Sequence, residues 1–188
     1  SQAMNGVTKA HNAVLWGSGL ARSAELARAL ACSGHYDETS QDLLQVKAAV
    51  NGCREAINEA ARDIVLIAQV TVEITGTMLM GSEIGAALNA LEPMGVDLIG
   101  LNCATGPAEM SEHLRYLSKN AKIAISVMPN AGLPQLGANG ATYPLQPDEL
   151  ASALDGFVTE YGISLVGGCC GTTPAHMASV VTKMNARK

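Results

Sequence analysis

The sequence has 188 residues, of which 48% are hydrophobic and 15% charged, with a formal net charge of -5. This composition is typical of a folded α/β protein and excludes a chain that is disordered throughout. Lys and Arg number 12 against 17 Asp and Glu, and no basic stripe is present, so nucleic acid is excluded as an expected partner.

Apolar runs and cysteines indicate the cellular compartment. The longest apolar stretches, such as residues 64–72, fall far short of the roughly 20 residues that cross a bilayer, so no membrane contact is expected. The N-terminus shows no signal-peptide pattern, and SQAM at residues 1–4 resembles a tag remnant. Five cysteines, an odd number, fit reduced thiols better than a disulfide framework. We therefore expect a cytoplasmic protein.

Helical patterns come first along the chain. Residues 22–31 are rich in alanine, and residues 40–59 place apolar side chains at near-helical spacing. No clear strand separates them, because residues 31–37 (ACSGHYD) are few and polar. The pattern predicts two helices without an intervening strand.

Four strand-sized apolar runs follow, with helix-like segments between them. Each run is rich in Val, Ile or Leu, as buried parallel strands are. The predicted strands cover residues 63–73, 96–103, 122–130 and 163–170. The predicted helices cover residues 81–91, 107–119, 146–161 and 174–184. The alternation predicts an α/β fold with a parallel sheet, and residues 132–147, dense in Gly and Pro, are predicted to be a long surface loop.

Three cysteines stand at the C-terminal ends of two of the predicted strands. Parallel strands end at one edge of the sheet, where α/β proteins bind their ligands, so Cys103, Cys169 and Cys170 are expected to converge there. Three thiolates are a donor set that zinc favours, with a fourth position for water or substrate. The alternative is that these cysteines fill the core. Flanking glycines favour the metal site, because core cysteines seldom need such open backbone.

Two other polar residues have two interpretations each, and the two remaining cysteines are expected to fill the core. Asn130, in PNAGLP, either offers its amide group to a metal or substrate or caps a turn. Glu38 precedes a helix, where a carboxylate either complements the helix dipole or contacts a ligand. Glu73 ends the first predicted strand at the same edge as the cysteine trio. Cys32 and Cys53 lie on helix-like segments and are expected to fill the core.

Six ordered segments of the sequence are distinctive: ETSQDLLQVKAAVNG (38–52), VTVEITGTMLMGSEIGAAL (70–88), IGLNCATGPAEMSEHLRYLS (99–118), MPNAGLP (128–134), YPLQPDEL (143–150) and VGGCCGTTPAHM (166–177). Together they resemble the homocysteine-binding (homocysteine S-methyltransferase) domain of cobalamin-dependent methionine synthase. The resemblance runs from about Glu38 to the end of the chain. LNCATGP followed by EHLRYLS resembles this branch more than betaine-dependent or S-methylmethionine-dependent relatives, which share the GGCC ending.

The resemblance implies a (β/α)8 TIM barrel that carries a zinc ion. The implied zinc ligands are Cys103, Cys169 and Cys170. For Asn130 the resemblance implies a fourth-ligand role in the substrate-free state, for Glu38 a contact with the homocysteine amino group, and for Glu73 a nearby polar role. Zinc would hold the homocysteine thiol as a thiolate that attacks a methyl group on cobalamin, giving methionine. No side chain of the chain is then expected to be a catalytic nucleophile.

The chain departs from the family pattern over residues 1–37. A complete barrel needs about 250 residues, and the family's Asp-Gly-Ala-Met-Gly-Thr segment does not occur. We therefore expect an atypical N-terminal helical segment at 1–37 and a partial barrel at 38–188 that contains about strands five to eight. Four strands do not close, so the open edges are expected to pair in a homodimer or to be covered by residues 7–31.

Two functions follow from the resemblance and its limits. The first is a zinc-dependent methyltransferase domain that binds homocysteine and takes a methyl group from cobalamin held on another domain. Its expected partners are the cobalamin and folate modules of methionine synthase. The alternative is a non-catalytic half-barrel that binds zinc or self-associates.

Overall fold

A computed structural model describes residues 42–60, 65–137 and 140–187. The helices are α1 (Leu43–Ala60), α2 (Ile84–Leu91), α3 (Pro107–Asn120), α4 (Pro147–Tyr161) and α5 (Pro174–Asn185). The strands are β1 (Ile67–Val70), β2 (Leu98–Asn102), β3 (Ala124–Met128), β4 (Gln135–Gly137), β5 (Gly140–Thr142) and β6 (Leu165–Val166). The predictions that lie outside the described residues concern the segment 1–37, the helix at 22–31, Cys32 and Glu38.

Four strands form one parallel sheet in the order β1-β2-β3-β6. Ile67 pairs with Leu98, Leu98 with Ala124, and Ser126 with Leu165. The spatial order follows the chain order without the reversal that marks doubly wound open sheets, and this is the order of strands in a barrel wall. The predicted α/β class with a parallel sheet of barrel type is therefore confirmed.

Proline and glycine set the ends of several helices. Pro107, Pro147 and Pro174 occupy the first turns of α3, α4 and α5. Proline suits this position because its fixed φ is helical and no N–H donor is lost to the helix. The helix α4 ends at Gly162, whose φ of 67° is left-handed and favours glycine. These helix boundaries therefore follow from the local sequence.

The two faces of the sheet differ in polarity. Val70, Leu101 and Val127 are fully buried in the hydrophobic core that includes the inward faces of the helices. On the opposite face the register aligns Gln69, Gly100 and Ser126. The Nε2 atom of Gln69 donates a hydrogen bond of 3.0 Å to Ser126 Oγ. A side chain on Gly100 would place its Cβ 2.0 Å from Ser126 Oγ, so only glycine fits there. The helical side is the main core, and the other face carries small and polar side chains.

One prediction about the backbone is wrong. Residues 132–147 were predicted to be a long surface loop, but they contain an antiparallel hairpin in which Gln135 pairs with Thr142 and Leu136 with Ala141. Both strands of the hairpin are exposed and only three residues long. A run this short has too few residues to show an alternating pattern among the surrounding glycines and prolines. Among the helices of the described ranges, none has the length and apolar character needed to cross a membrane.

Candidate metal centre

The three candidate cysteines come together at the C-terminal edge of the sheet. Cys103 directly follows β2, while Cys169 and Cys170 follow β6, and β3 lies between these two strands. The Sγ atoms of Cys103 and Cys170 are 3.5 Å apart, and those of Cys169 and Cys170 are 4.0 Å apart. All three sulfurs lie within 4.8 Å of one another. We call these three residues the sulfur cluster.

The geometry of the sulfur cluster fits a tetrahedral metal. Zn–S bonds of about 2.3 Å at tetrahedral angles place neighbouring sulfurs about 3.8 Å apart. The observed separations of 3.5 and 4.0 Å fall on either side of that value. Within the described part of the chain, no other group of three His, Cys, Asp or Glu side chains is spaced to hold a metal ion. An all-sulfur donor set favours zinc or another thiophilic ion.

The electrostatic interactions among the three thiols also favour a cation bound at the sulfur cluster. The hydrogen bond with Cys103, burial and the neighbouring thiols together raise the pKa of Cys169 well above its ordinary value. Thiolates this close repel one another, because each negative charge disfavours the next. A divalent cation relieves this repulsion and stabilises the deprotonated form. Cys103 and Cys169 are half-buried and Cys170 is exposed, so the cluster is open to solvent on one side.

The backbone at Cys103 adopts a costly conformation. Cys103 has a φ of 57° and Ala104 a φ of 53°, and they are the only non-glycine residues with positive φ in the described ranges. The Cys103 N–H donates to Met128 O at 3.1 Å, and Thr105 N–H donates to Cys103 O at 2.6 Å. Left-handed backbone costs about 1–2 kcal/mol for each such residue. Strain of this kind is common where the chain must aim a functional side chain.

Glycines let the chain turn tightly around the vicinal cysteines. A Cβ on Gly168 would lie 2.3 Å from Thr172 Cγ2, and the Thr172 hydroxyl donates a hydrogen bond of 2.6 Å to Cys169 O. Gly171 has a φ of 79°, and a Cβ there would lie 2.3 Å from Tyr143 Cγ. The glycines on both sides of the pair are therefore required by close approach and by backbone conformation.

Asn130 joins the two cysteine-bearing segments. It is buried, and its Oδ1 atom accepts the Cys170 N–H at 3.1 Å. Its own N–H donates to Thr105 O at 3.1 Å, and the N–H of Ala131 donates to Cys170 O at 2.9 Å. The structure therefore brings Asn130 beside the sulfur cluster and ties it to the backbone of one of the cysteines.

The other predicted residues lie elsewhere or outside the described ranges. Glu73 is half-buried in the loop after β1, where its backbone bonds to Thr77 and Gly76, and its carboxylate does not belong to the sulfur cluster. Glu38 falls outside the described residues. Cys53 is buried in α1 among apolar neighbours, which confirms its predicted core role.

A cavity of about 480 Å³ lies between α3, α4 and the loop that follows β3. Residues of its lining include Pro107, Leu133, Leu145 and Phe157, and none of the three cysteines contributes to it. This cavity is therefore not the place where a ligand of the sulfur cluster would bind.

The sequence analysis missed Tyr143, which lies beside Gly171, and the contact that His176 makes with Leu145; for His176 the sequence favours a surface or packing role over metal binding. The ring of Tyr143 packs against Gly171, and His176 is buried with its Nε2 atom 2.9 Å from Leu145 O. The signal available was weak, because a tyrosine and a histidine at these positions show no metal-ligand spacing relative to the cysteines. Their proximity depends on how the hairpin folds back over the sheet edge.

Two relatives match most of this chain in sequence. Two methionine synthases, from Mycobacterium tuberculosis (strain ATCC 25618 / H37Rv) and Mycobacterium leprae (strain TN), are each 73% identical to it over 143 residues. The match covers 76% of this chain and 12% of either relative. The chain therefore spans only a small part of the length of these relatives.

Solved structures are similar in fold, and a family model identifies the family. The homocysteine methyltransferase MmuM from Escherichia coli is similar in its apo form, with a TM-score of 0.61 and 20% identity over 86% of this chain and 58% of that one. Its metallated form gives a TM-score of 0.59 and 20% identity over 89% of this chain and 56% of that one. The family model described as homocysteine S-methyltransferase matches residues 27–184, beginning upstream of Glu38. The chain therefore belongs to the homocysteine S-methyltransferase family.

Proposed function

We propose that the chain is a zinc-dependent homocysteine-binding methyltransferase domain, or part of one, from a methionine synthase. The observation that carries the proposal is the convergence of three sulfurs within 4.8 Å at the C-terminal edge of the sheet. Support also comes from relatives named methionine synthase and from a structural neighbour described as metallated. Cytoplasmic location is part of the proposal, because the cluster needs reduced thiols.

The side chains of the sulfur cluster would hold the metal. When bound, zinc supplies a Lewis acid that keeps the thiol of homocysteine deprotonated near neutral pH. Cys103, Cys169 and Cys170 act as ligands in this proposal and do not attack the methyl group. The substrate thiolate is the nucleophile, and the methyl group comes from cobalamin carried by another module of the longer protein. The cobalamin and folate modules are therefore the proposed partners.

Asn130 has two proposed roles that its contacts make compatible. Its Oδ1 atom accepts the Cys170 N–H, which orients the vicinal pair. A carbonyl oxygen has two lone pairs, so the second lone pair remains for the metal in the substrate-free state or for a substrate group. Glu38 is proposed to contact the homocysteine amino group, and Glu73 is proposed to have a nearby polar role.

A metal-content measurement tests the proposal on the full 188-residue chain. Release of bound zinc by a thiol reagent should yield one ion per chain. Cys103→Ala should lose the ion, because two sulfurs do not complete the donor set. Cys53→Ala is the matched control, since it removes a buried cysteine outside the cluster and should keep the ion.

Substitution of zinc by cobalt tests substrate binding. Adding homocysteine should change the visible absorption of the cobalt protein, because the substrate sulfur enters the coordination sphere. Cobalt bound to the cysteines with a spectrum that never responds to homocysteine would support the alternative, a non-catalytic half-barrel that binds zinc or self-associates. Equal metal content in Cys103→Ala and in the unaltered protein would contradict the metal site itself.

A further inference from the structure

Thr71 is bonded to the residue that precedes Cys103. It directly follows β1, and only 1% of its surface is exposed. Its Oγ1 atom lies 3.2 Å from the main-chain oxygen of Asn102 and 3.2 Å from the Oδ1 atom of the same residue. Asn102 is the last residue of β2 and is also buried. The hydroxyl has one proton and two acceptors on one residue, so either bond holds Asn102 in place.

This contact extends the connection between β1 and β2 beyond their paired residues. The backbone register of the two strands runs to Val70 and Leu101. On its other side, β2 stays in register with β3 through the pair Asn102 and Met128. Asn102 is therefore held from both sides, by the side chain that follows β1 and by the backbone of β3.

The peptide group between Asn102 and Cys103 is bonded at both ends. Its oxygen lies 3.2 Å from Thr71 Oγ1, and its N–H donates to Met128 O at 3.1 Å. The orientation of this peptide group relative to the Cys103 side chain is the φ angle of Cys103, which is 57°. Left-handed backbone is costly for a residue with a side chain, so the surrounding bonds must hold it. Any rotation of this peptide group would change where Cys103 Sγ points.

We propose that Thr71 is a positioning residue of the metal centre, whose hydroxyl holds the Asn102–Cys103 peptide group and so keeps Cys103 Sγ directed at the vicinal cysteines. The inference rests on the proposed function, because it assigns a role at the same sulfur cluster. Groups that orient metal ligands affect metal affinity even though they do not bind the ion. In this role Thr71 contacts neither the metal nor the substrate.

Three variants of the full chain isolate the hydroxyl of Thr71. Thr71→Val replaces the hydroxyl with a methyl group and keeps the branched shape, whereas Thr71→Ser keeps the hydroxyl and loses the methyl group. Ser118→Ala is the matched control, because Ser118 Oγ also donates to a main-chain oxygen, that of Tyr161 at 2.8 Å. Ser118 lies near the end of α3, which begins after Cys103 and leads away to the start of β3.

Amide hydrogen exchange of the metal-free protein tests the positioning directly. Measured by NMR, exchange of the Cys103 N–H should be about 2- to 10-fold faster in Thr71→Val, as expected when one supporting hydrogen bond is lost. The increase at Cys103 should exceed the increase at the buried Leu114 of α3, because a general loss of stability would accelerate both. Thr71→Ser and Ser118→Ala should stay close to the unaltered protein at Cys103.

Cobalt titration tests the consequence for the metal centre. Thr71→Val should bind cobalt about 10-fold more weakly than the unaltered protein, since a group that orients a ligand is lost. The d–d absorption bands of the bound cobalt should change, because they depend on the angles between the ligands. Stoichiometry should stay at one cobalt per chain, and Thr71→Ser and Ser118→Ala should match the unaltered protein in both measurements.

Two results would overturn the inference alone. One is a Thr71→Val protein that keeps the cobalt affinity of the unaltered protein or its rate of exchange at Cys103. The other is equal losses in Thr71→Val and Thr71→Ser, which would assign the effect to packing of the side chain and not to its hydroxyl. Failure of the unaltered protein to bind cobalt would instead overturn the proposed metal site and this role of Thr71 with it, even where exchange at Cys103 responds as expected.

Discussion

Ala104 has a strained backbone conformation beside the candidate metal ligand Cys103. It is not a metal ligand, yet it shares the left-handed backbone of Cys103, with φ values of 53° and 57°. Neighbouring hydrogen bonds to Met128 O and from Thr105 N–H hold the turn in this form. The strain lies in the backbone beside a ligand, so it can be relieved at Ala104 without changing a sulfur.

Ala104→Gly should therefore leave the protein as stable as before or more stable, by up to about 1.6 kcal/mol. Relief of about 1–2 kcal/mol of left-handed strain outweighs the entropy that glycine adds to the unfolded chain, about 0.4–1 kcal/mol. Urea unfolding measures the difference. Ala86→Gly, at an exposed site inside α2, is the matched control and should cost about 1 kcal/mol. Equal destabilisation by Ala104→Gly and Ala86→Gly would contradict the inference that the left-handed backbone at Ala104 is strained.

The raised pKa of the buried Cys53 thiol predicts that the protein loses stability at alkaline pH. Burial raises the pKa of Cys53 from 9.0 to about 11, and Arg54 only partly opposes this. The unfolded chain ionises this thiol from pH 9.0, whereas the folded protein keeps the proton until about pH 11. Between these pH values the unfolded state binds fewer protons than the folded state, so the free energy of unfolding falls as the pH rises. The stabilisation that protonated Cys53 gives the folded state is complete below pH 9 and is lost as the pH rises to about 11.

Unfolding of the unaltered protein and of Cys53→Ala across this pH range checks the prediction. The free energy of unfolding should fall more steeply for the unaltered protein, by up to about 1.4 kcal/mol per pH unit. Other titrating groups contribute equally to both proteins and cancel in the comparison. Parallel pH profiles would show that Cys53 is not the source of any loss.

At the scale of elements, the first turn of α5 is bonded to the segment between β5 and α4. Its N-terminal turn carries His176, which accepts the Thr173 N–H at its Nδ1 atom, at a distance of 3.2 Å. With Nδ1 as an acceptor, the neutral ring carries its proton on Nε2, which donates to Leu145 O at 2.9 Å. One side chain therefore caps the helix and anchors the segment between β5 and α4. The fold uses α5 to hold the loop that bears Tyr143.

Replacing His176 by Ala should lower the free energy of unfolding by about 2 kcal/mol or more. The change removes the hydrogen bonds to the Leu145 carbonyl and from the Thr173 N–H, each worth about 0.5–1.5 kcal/mol, and it leaves a gap where the buried imidazole packs. His113→Ala is the control, since His113 is a half-buried histidine on α3. Denaturant unfolding should separate the two variants, and similar losses in both would argue against the anchoring role.

At the scale of the whole molecule, the sulfur cluster brings together residues that are far apart in the sequence. Cys103 and Cys170 are 67 residues apart, and the strands before them are not neighbours in the sheet. A metal that takes all three sulfurs as ligands binds the folded arrangement more tightly than the unfolded chain, so binding must stabilise the fold. Self-association through the open sheet edges stays a prediction at this scale, and light scattering measures it.

Zinc should therefore raise the melting temperature of the unaltered protein. Free zinc at 100 times its dissociation constant stabilises a folded protein by about 2.7 kcal/mol, and a chelator should reverse the effect. Cys103→Ala should show no such rise, while Cys53→Ala should respond as the unaltered protein does. A rise of equal size in Cys103→Ala would place the stabilising metal at another site.

The parts of this fold that local sequence predicts are those governed by local chemistry. Four apolar runs indicated the parallel strands, although the observed strands are shorter, as β1 at Ile67–Val70 illustrates. The predicted helix starts at residues 107, 146 and 174 lie within one residue of the observed starts of α3, α4 and α5. The hairpin of β4 and β5 escaped prediction, because three-residue strands rich in glycine have no pattern of their own.

The sequence by itself determined the class of fold, the family resemblance and the three candidate cysteines, because hydrophobic periodicity and donor type are properties of the residues. Only the tertiary structure decided that sulfurs 67 residues apart in sequence lie 3.5 Å apart and that Tyr143 covers Gly171. These distances depend on strand register and on how loops fold back over the sheet edge. Such long-range packing is set by the whole core together, and no short stretch of sequence encodes it.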